Sequence, residues 1–430
     1  RRIRVNRLEG IRERIRQADL VTPVGRVTDM VGMVVVVEGL SAPVGSLCHI
    51  DTGRDTEPLA CEVVGFRNGS LLVMPYQGRT GVAAGCLVEL VAGQVTAPVG
   101  DALLGRVLDG MGRPLDGGPS LVNLPTRPVQ AAAPPALTRR RDQEILTTGI
   151  RSIDSLVTTG RGQRLGIFSG SGVGKSVMLG MLARQTESDV NVLALIGERG
   201  REVREFLDRD LGPEGLARSV VIVVTSDESA VMRAKGAETA MTIAEDFRDR
   251  DRNVLFLMDS ATRYAMALRE IGLAAGEPPT TKGYPPSVFA ALPRLCERAG
   301  WSAVNAITAF FTVLIEGDDI QDPVGDALRS ILDGHVMLSR DLARRHHYPA
   351  VDVLGSVSRL RHDLVTPADR KAAERLTAWL KKLEDNRDLV SIGAYAPGSD
   401  PMLDEALAKE NELTAFLTQT AQEPTTLDDT

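Results

Sequence analysis

Residues 164–176 read RLGIFSGSGVGKS, an apolar run that breaks into a glycine-rich turn and then into a helix-compatible stretch from Lys175. Gly170, Gly172 and Gly174 let the backbone curl so that the successive N–H groups of Gly170 through Val177, those of Ser171 and Val173 included, face one anion. A helix starting there adds the positive end of its dipole. In such a cradle Lys175 reaches the β- and γ-phosphates, and the Ser176 hydroxyl ligates Mg²⁺. The strict pattern asks for Gly where this chain has Ser169. That departure sits at the strand end and touches the pattern more than the chemistry.

Outward from this turn, apolar runs alternate with amphipathic segments. RLGIFS, NVLALIG, SVVIVVT, NVLFLMD, AITAFFTVL and HVMLS have the continuous apolar character of strands buried on both faces of a parallel sheet. Val177–Thr186, Glu202–Arg209 and Ala230–Arg250 read as the intervening helices. The alternation predicts a doubly wound α/β core. Two carboxylates stand at strand ends within it. NVLFLMD closes on Asp259, placed to hold the Mg²⁺ shell beside the P-loop hydroxyl. NVLALIG runs into Glu198 of GERGRE, where a carboxylate beside the P-loop strand can orient an attacking water.

The flanks differ in texture. Residues 1–20 are basic and helix-permissive, equally readable as a solvated helix or a docking segment. Residues 21–95 carry short β-branched runs broken by Gly, Pro and Asp, the pattern of a small barrel. Residues 96–145, with GRVLDGMGRPLDG and the Pro-Ala stretch LPTRPVQAAAPPALTRR, form an extended linker and entry to the core. The core spans 146–366. Residues 367–430 read as a helical C-terminal domain ending in a frayed tail, QEPTTLDDT. Two or three domains suit 430 residues. A net charge of -7 argues against a nucleic-acid surface as the main business. Cys48, Cys61, Cys86 and Cys296 have no metal-ligand spacing and read as small buried hydrophobes of a reducing compartment. No run approaches the roughly 20 apolar residues of a membrane span.

Taken together, the chain resembles the hexameric protein-export ATPases of flagellar and type III secretion systems, relatives of the rotary ATP synthase catalytic subunit. The likeness runs from about Val21 to Phe416. GRVLDGMGRPLDG, TTGIRSID, GRGQRLGIFSGSGVGKS, LIGERGREVREF, DSATRYAMALREIGLAAGEPPTTKGYPPSVF, TVLIEGDD, SILDGHVMLSR and YPAVDVLGSVSR carry it. The resemblance implies a P-loop RecA-like α/β core with a parallel sheet, an N-terminal small β-barrel and a C-terminal helical domain. It makes Glu198 the water-activating carboxylate, with Arg199 and Glu202 as its partners, Arg199 assisting catalysis and Glu202 standing near the metal. Arg263 matches the arginine that binds the γ-phosphate, Tyr348 the aromatic on which adenine stacks, and Tyr395 its second face. Arg359 matches an arginine finger that reaches the neighbouring subunit's site.

ATP and Mg²⁺ are the implied ligands and a homo-hexamer the implied assembly. A central stalk protein, a peripheral regulator, the export gate, and export substrates with their chaperones are the implied partners, with no nucleic acid. The enzyme would be cytoplasmic and peripheral at the inner face of the cytoplasmic membrane. Gly276–Ser287 and Glu316–Pro323 would face the ring's channel. IGAYAPGSDP favours the flagellar branch. The rival readings are an injectisome ATPase, a proton-coupled rotary subunit, and a non-catalytic ring subunit, which would lack an acid at position 198. A ring-shaped RNA translocase would need a basic, aromatic platform that 21–91 lacks.

Overall fold

A computed structural model describes residues 23–53, 57–140, 144–315 and 322–427. The expected N-terminal helical segment and the channel loop from Glu316 to Gln321 lie outside the described residues. The chain divides into two compact units, one running up to Val95 and including Ala274–Gly276, the other holding the remainder.

In the first unit six strands close into an antiparallel barrel: β1 (Val24–Val31), β2 (Val34–Glu38), β3 (Leu47–Ile50), β4 (Leu59–Arg67), β5 (Ser70–Pro75) and β6 (Leu87–Ala92). Their order is β1-β2-β5-β4-β3-β6, and closure leaves no edge to pair with another chain. Small β-branched and sulfur side chains fill the interior: Val27, Val35, Val37, Cys48, Ile50, Cys61, Val63, Val73 and Val88. Cys48 opposes Cys61 across β3 and β4. Both are buried and reduced, and burial pushes the Cys48 thiol up to about 11.

The second unit is built on a mostly parallel sheet. Its strands are β7 (Val107–Leu108), β8 (Arg164–Ser169), β9 (Val190–Glu198), β10 (Ser219–Thr225), β11 (Val254–Asp259), β12 (Ala306–Leu314), β13 (Gly334–Leu338) and β14 (Val351–Ser358). The order is β14-β13-β8-β12-β11-β9-β10-β7; β14 runs antiparallel to β13. The apolar runs are buried on both faces, as a helix-covered parallel sheet requires. Leu165, Ile167, Leu193, Leu195, Leu257 and Phe310 pack with Met178, Leu179 and Leu182 of the helix that follows β8. The linker does not simply extend. Arg139 bonds the carbonyls of Pro134 and Glu297, and Arg140 lies over the Trp301 ring, 5.1 Å from its centroid.

The helices relevant to the site are α1 (Arg151–Leu156), α2 (Lys175–Gln185), α3 (Pro367–Asp385) and α4 (Pro401–Leu417). Thr366 caps α3 and Asp400 caps α4, each followed by Pro at the first helical position. These C-terminal helices belong to the same compact unit as the sheet, with Leu156, Ala373 and Leu417 clustered between them. The expectation of a frayed tail from Gln422 is corrected for the described part, 422–427. Glu423 pairs with Arg151, and Thr425 donates to the Gly149 carbonyl at 2.9 Å. Side-chain hydrogen bonds hold this segment with little apolar burial, so hydropathy gives no sign of it. Among the described residues no helix is long and apolar enough to cross a membrane.

Candidate nucleotide site

β8 ends at Ser169, which pairs with Leu314 on one side and Leu338 on the other. The chain then turns through Gly172 at φ 75° and Gly174 at φ 89°, left-handed conformations that glycine alone adopts cheaply. α2 starts at once on Lys175, and Gly174 supplies no side-chain cap. The first N–H groups of α2 therefore have no capping side chain and are oriented for an anion.

The parallel register brings the carboxyl ends of neighbouring strands to the same edge, where ligands of open α/β sheets sit. Asp259 closes β11 and Glu198 closes β9. Lys175 Nζ lies 2.5 Å from Asp259 Oδ1 and 3.5 Å from Glu198 Oε1. The Thr312 hydroxyl, on the strand between β8 and β11, donates to Asp259 Oδ1 at 2.7 Å. One ammonium thus faces two carboxylates in a site where all three side chains are at most 14% exposed. Burial, and next the Asp259 charge, push the Glu198 carboxyl up to about 7. Burial pulls the Lys175 ammonium down, but the charges of Asp259 and Glu198 outweigh it and hold it above its ordinary value.

The residues present fit a magnesium-bound triphosphate. Arg263 Nε is buried without a hydrogen-bond partner, and Arg263 packs against Gly197, one residue before Glu198. Unpaired buried donors are costly unless a ligand satisfies them. Among the described residues no group of three or more His, Cys, Asp or Glu could hold a metal.

Beside the turn lies a cavity of about 800 Å³ lined by Val173, Gly174, Val177, Met181 and Tyr348 on one side, a size and apolarity suited to a nucleoside. The Tyr348 ring passes 3.5 Å from where a Cβ on Gly174 would stand. Tyr395 is elsewhere. Its hydroxyl bonds Asp404 Oδ1 at 2.9 Å and the Asp400 carbonyl at 3.1 Å, and it does not line the cavity. Its place as a wall is taken by Ala415 and Thr418–Ala421, which the sequence reading missed. Thr312 was also missed, although a hydroxyl late in the apolar run AITAFFTVL was a signal.

Arg199 is exposed and pairs with Glu202 at 2.9 Å; Glu202 in turn bears on the Glu198 carboxyl and helps to raise its pKa. Arg359 lies at the opposite edge of the sheet. Ser358 pairs with Gly334, the first residue of β13, whereas Leu338 at the far end of β13 pairs with Ser169. Arg359 is therefore about five residues of strand, roughly 16 Å, from its own P-loop. Its guanidinium, on the exposed surface, donates to the Arg329 carbonyl.

The chain is similar to known proteins along nearly its whole length. Residues 149–358 match the ATP synthase alpha/beta family, nucleotide-binding domain, and residues 365–430 match the T3SS EscN ATPase C-terminal domain. The chain is 48% identical over 416 residues to the flagellum-specific ATP synthase of Bacillus subtilis, covering 96% of this chain and 95% of the relative. It is 48% identical to the type 3 secretion system ATPase of Xanthomonas euvesicatoria, covering 92% and 89%. The structure of the assembled ATPase EscN in complex with its central stalk EscO, from enteropathogenic E. coli, superposes with a TM-score of 0.87 at 40% identity, over 94% of this chain and 97% of that one. The chain belongs to the flagellar and type III secretion export ATPase family, related to the rotary ATP synthase catalytic subunit, and is a P-loop ATPase.

Proposed function

We propose that this chain hydrolyses MgATP as one of six copies in a ring and that the ring drives chaperone release, unfolding and export of proteins through a flagellar type III apparatus. The observation that carries the reading is the meeting of Lys175, Glu198 and Asp259 at one sheet edge behind the glycine turn. Lys175 and Arg263 bind the phosphates, and the N–H groups from Gly170 to Val177 cradle them. The Ser176 hydroxyl would hold the metal, with Asp259 and Glu202 on its carboxylate side, and bound Mg²⁺ would neutralise charge on the phosphates. Glu198 orients the attacking water and accepts its proton, a role suited to a carboxyl whose pKa is already raised toward neutrality. Arg199 holds Glu202, and Tyr348 stacks on the base.

Arg359 acts on the neighbouring copy. Its distance from its own P-loop supports that reading, and an arginine finger is worth roughly 10³ to 10⁵ in rate. Contact with a central stalk finds support in the EscN–EscO complex. A peripheral regulator, the export gate, and chaperoned substrates at the inner face of the cytoplasmic membrane complete the proposed partner set. The injectisome alternative rests on the 48% identity to the Xanthomonas ATPase. Replacing a flagellum-specific relative's gene with this one, and a secretion ATPase's gene in parallel, tests the branch: restored swimming without restored effector secretion supports the flagellar reading, and the reverse overturns it.

A further inference from the structure

Ala415, Thr418–Ala421 and Glu423 make one wall of the nucleotide cavity, and one arginine organises it. Arg151, at the start of α1, donates from Nε to the Phe416 carbonyl at 3.0 Å and from Nη2 to the Thr418 carbonyl at 2.6 Å. Its Nη1 pairs with Glu423 at 2.6 Å. The Arg151 backbone N–H donates to Gln419 Oε1 at 3.1 Å. Gln419 is 6% exposed; its Nε2 donates to the Gly149 and Glu423 carbonyls. The Gln419 backbone N–H donates to the carbonyl of Tyr348 at 2.9 Å. Arg184 and Gln185, on the last turn of α2, donate to the Ala421 carbonyl. Ala421 is the segment's apolar contact with the core, and hydrogen bonds tie it at once to the P-loop helix, to Tyr348 and to α1. Gly149 must be glycine for this to close, since its φ is 75° and a Cβ there would stand 2.5 Å from the Gln185 Cβ.

We infer that Thr418–Thr425 is a strap latched over the base end of the nucleotide cavity, and that Arg151 is the positioning residue that sets nucleotide affinity by holding it. The inference rests on the reading of this cavity as the nucleotide site. An ordered wall pays its conformational entropy before the ligand arrives, so releasing it weakens binding without touching the phosphate chemistry. The effect falls on KM and on nucleotide Kd, while kcat, set at Lys175 and Glu198, changes little.

The test uses the full chain and Arg151→Ala, Arg151→Lys, Glu423→Gln and Lys175→Ala. Three quantities are read: binding of a fluorescent ADP analogue without turnover, the KM and kcat for ATP, and hydrogen exchange at 418–425. Loss of the charged latch in Arg151→Ala should weaken analogue binding and raise KM about tenfold, with kcat within about twofold and exchange at 418–425 accelerated. Arg151→Lys keeps one of three acceptors and should fall between it and the parent. Glu423→Gln, a milder change at a half-exposed position, should shift KM in the same direction. ADP should slow exchange at 418–425 in the parent. Faster exchange in Arg151→Ala with unchanged analogue affinity would overturn the strap while leaving the nucleotide site standing. Undiminished analogue binding by Lys175→Ala would instead overturn the site assignment itself.

Discussion

Lys175 Nζ stands 2.5 Å from Asp259 Oδ1 while also facing Glu198 at 3.5 Å, so two carboxylates compete for one ammonium. The crowding of Glu198 by Asp259 is unfavourable for the empty protein and would be relieved by a ligand that brings a divalent cation to the carboxylates and phosphates to the ammonium. Stability and catalysis should therefore respond to its parts in opposite directions.

Glu198→Gln should abolish turnover, leave nucleotide binding, and stabilise the nucleotide-free protein. The folded carboxyl titrates near 7 against an ordinary 4.5. A group whose folded pKa is raised takes up its proton first in the folded state as pH falls. Its penalty is full above about pH 7 and gone below about pH 4.5. Glutamine removes that penalty, by roughly 1–3 kcal/mol at pH 8, so the melting temperature of the variant should exceed the parent's at pH 8 and the gap should narrow toward pH 5. A gap that widens on acidification, or undiminished ATPase, would place the raised pKa and the base elsewhere.

The position of Arg359 at the edge opposite its own glycine turn gives a second test. Arg359→Ala and Lys175→Ala should each reduce kcat by about 10³ or more. Mixed before assembly, they should recover activity, because roughly a quarter of interfaces in a randomly mixed closed ring pair an intact P-loop with an intact arginine. Mixtures no more active than the separate variants would mean that Arg359 does not serve an adjoining site.

Thr312 is the hydroxyl that fixes Asp259 from below. Thr312→Val keeps the shape and leaves a buried carboxylate oxygen one donor short, at a cost of about 1–3 kcal/mol. The expected result is a lower melting temperature together with a higher Mg²⁺ requirement for ATPase. Full activity at unchanged metal requirement would show that Asp259 needs no such support.

Where the signal was local, the sequence was readable. Three glycines before Lys175, and carboxylates closing apolar runs at Glu198 and Asp259, carry their chemistry within a few residues, and a parallel register then brings them to one edge. The valine-rich runs of the barrel announce buried strands in the same way. The cavity's far wall is different: Gln419 and Thr425 are polar, follow a helix, and meet Gly149 about 270 residues earlier through hydrogen bonds. Hydrophobic periodicity has nothing to say about a segment held that way. Thr312 is a similar case, since its partner is decided by strand order and not by sequence spacing.

Two tyrosines share a resemblance-based expectation but not an environment, and they should separate in experiment. Tyr348 is 42% exposed and lines the cavity beside Gly174. Removing its ring takes away a stacking surface worth about 1–3 kcal/mol per base. Tyr348→Ala should therefore raise KM for ATP by about tenfold or more with a smaller change in kcat. Tyr395 bonds Asp400 and Asp404 at the start of α4, where Asp400 also caps the helix. Tyr395→Phe should lower thermal stability and accelerate exchange in the first turn of α4, with KM unchanged. A KM shift from Tyr395→Phe as large as that from Tyr348→Ala would bring the second ring back to the base, by a movement of the α3–α4 connection toward the cavity when nucleotide is bound.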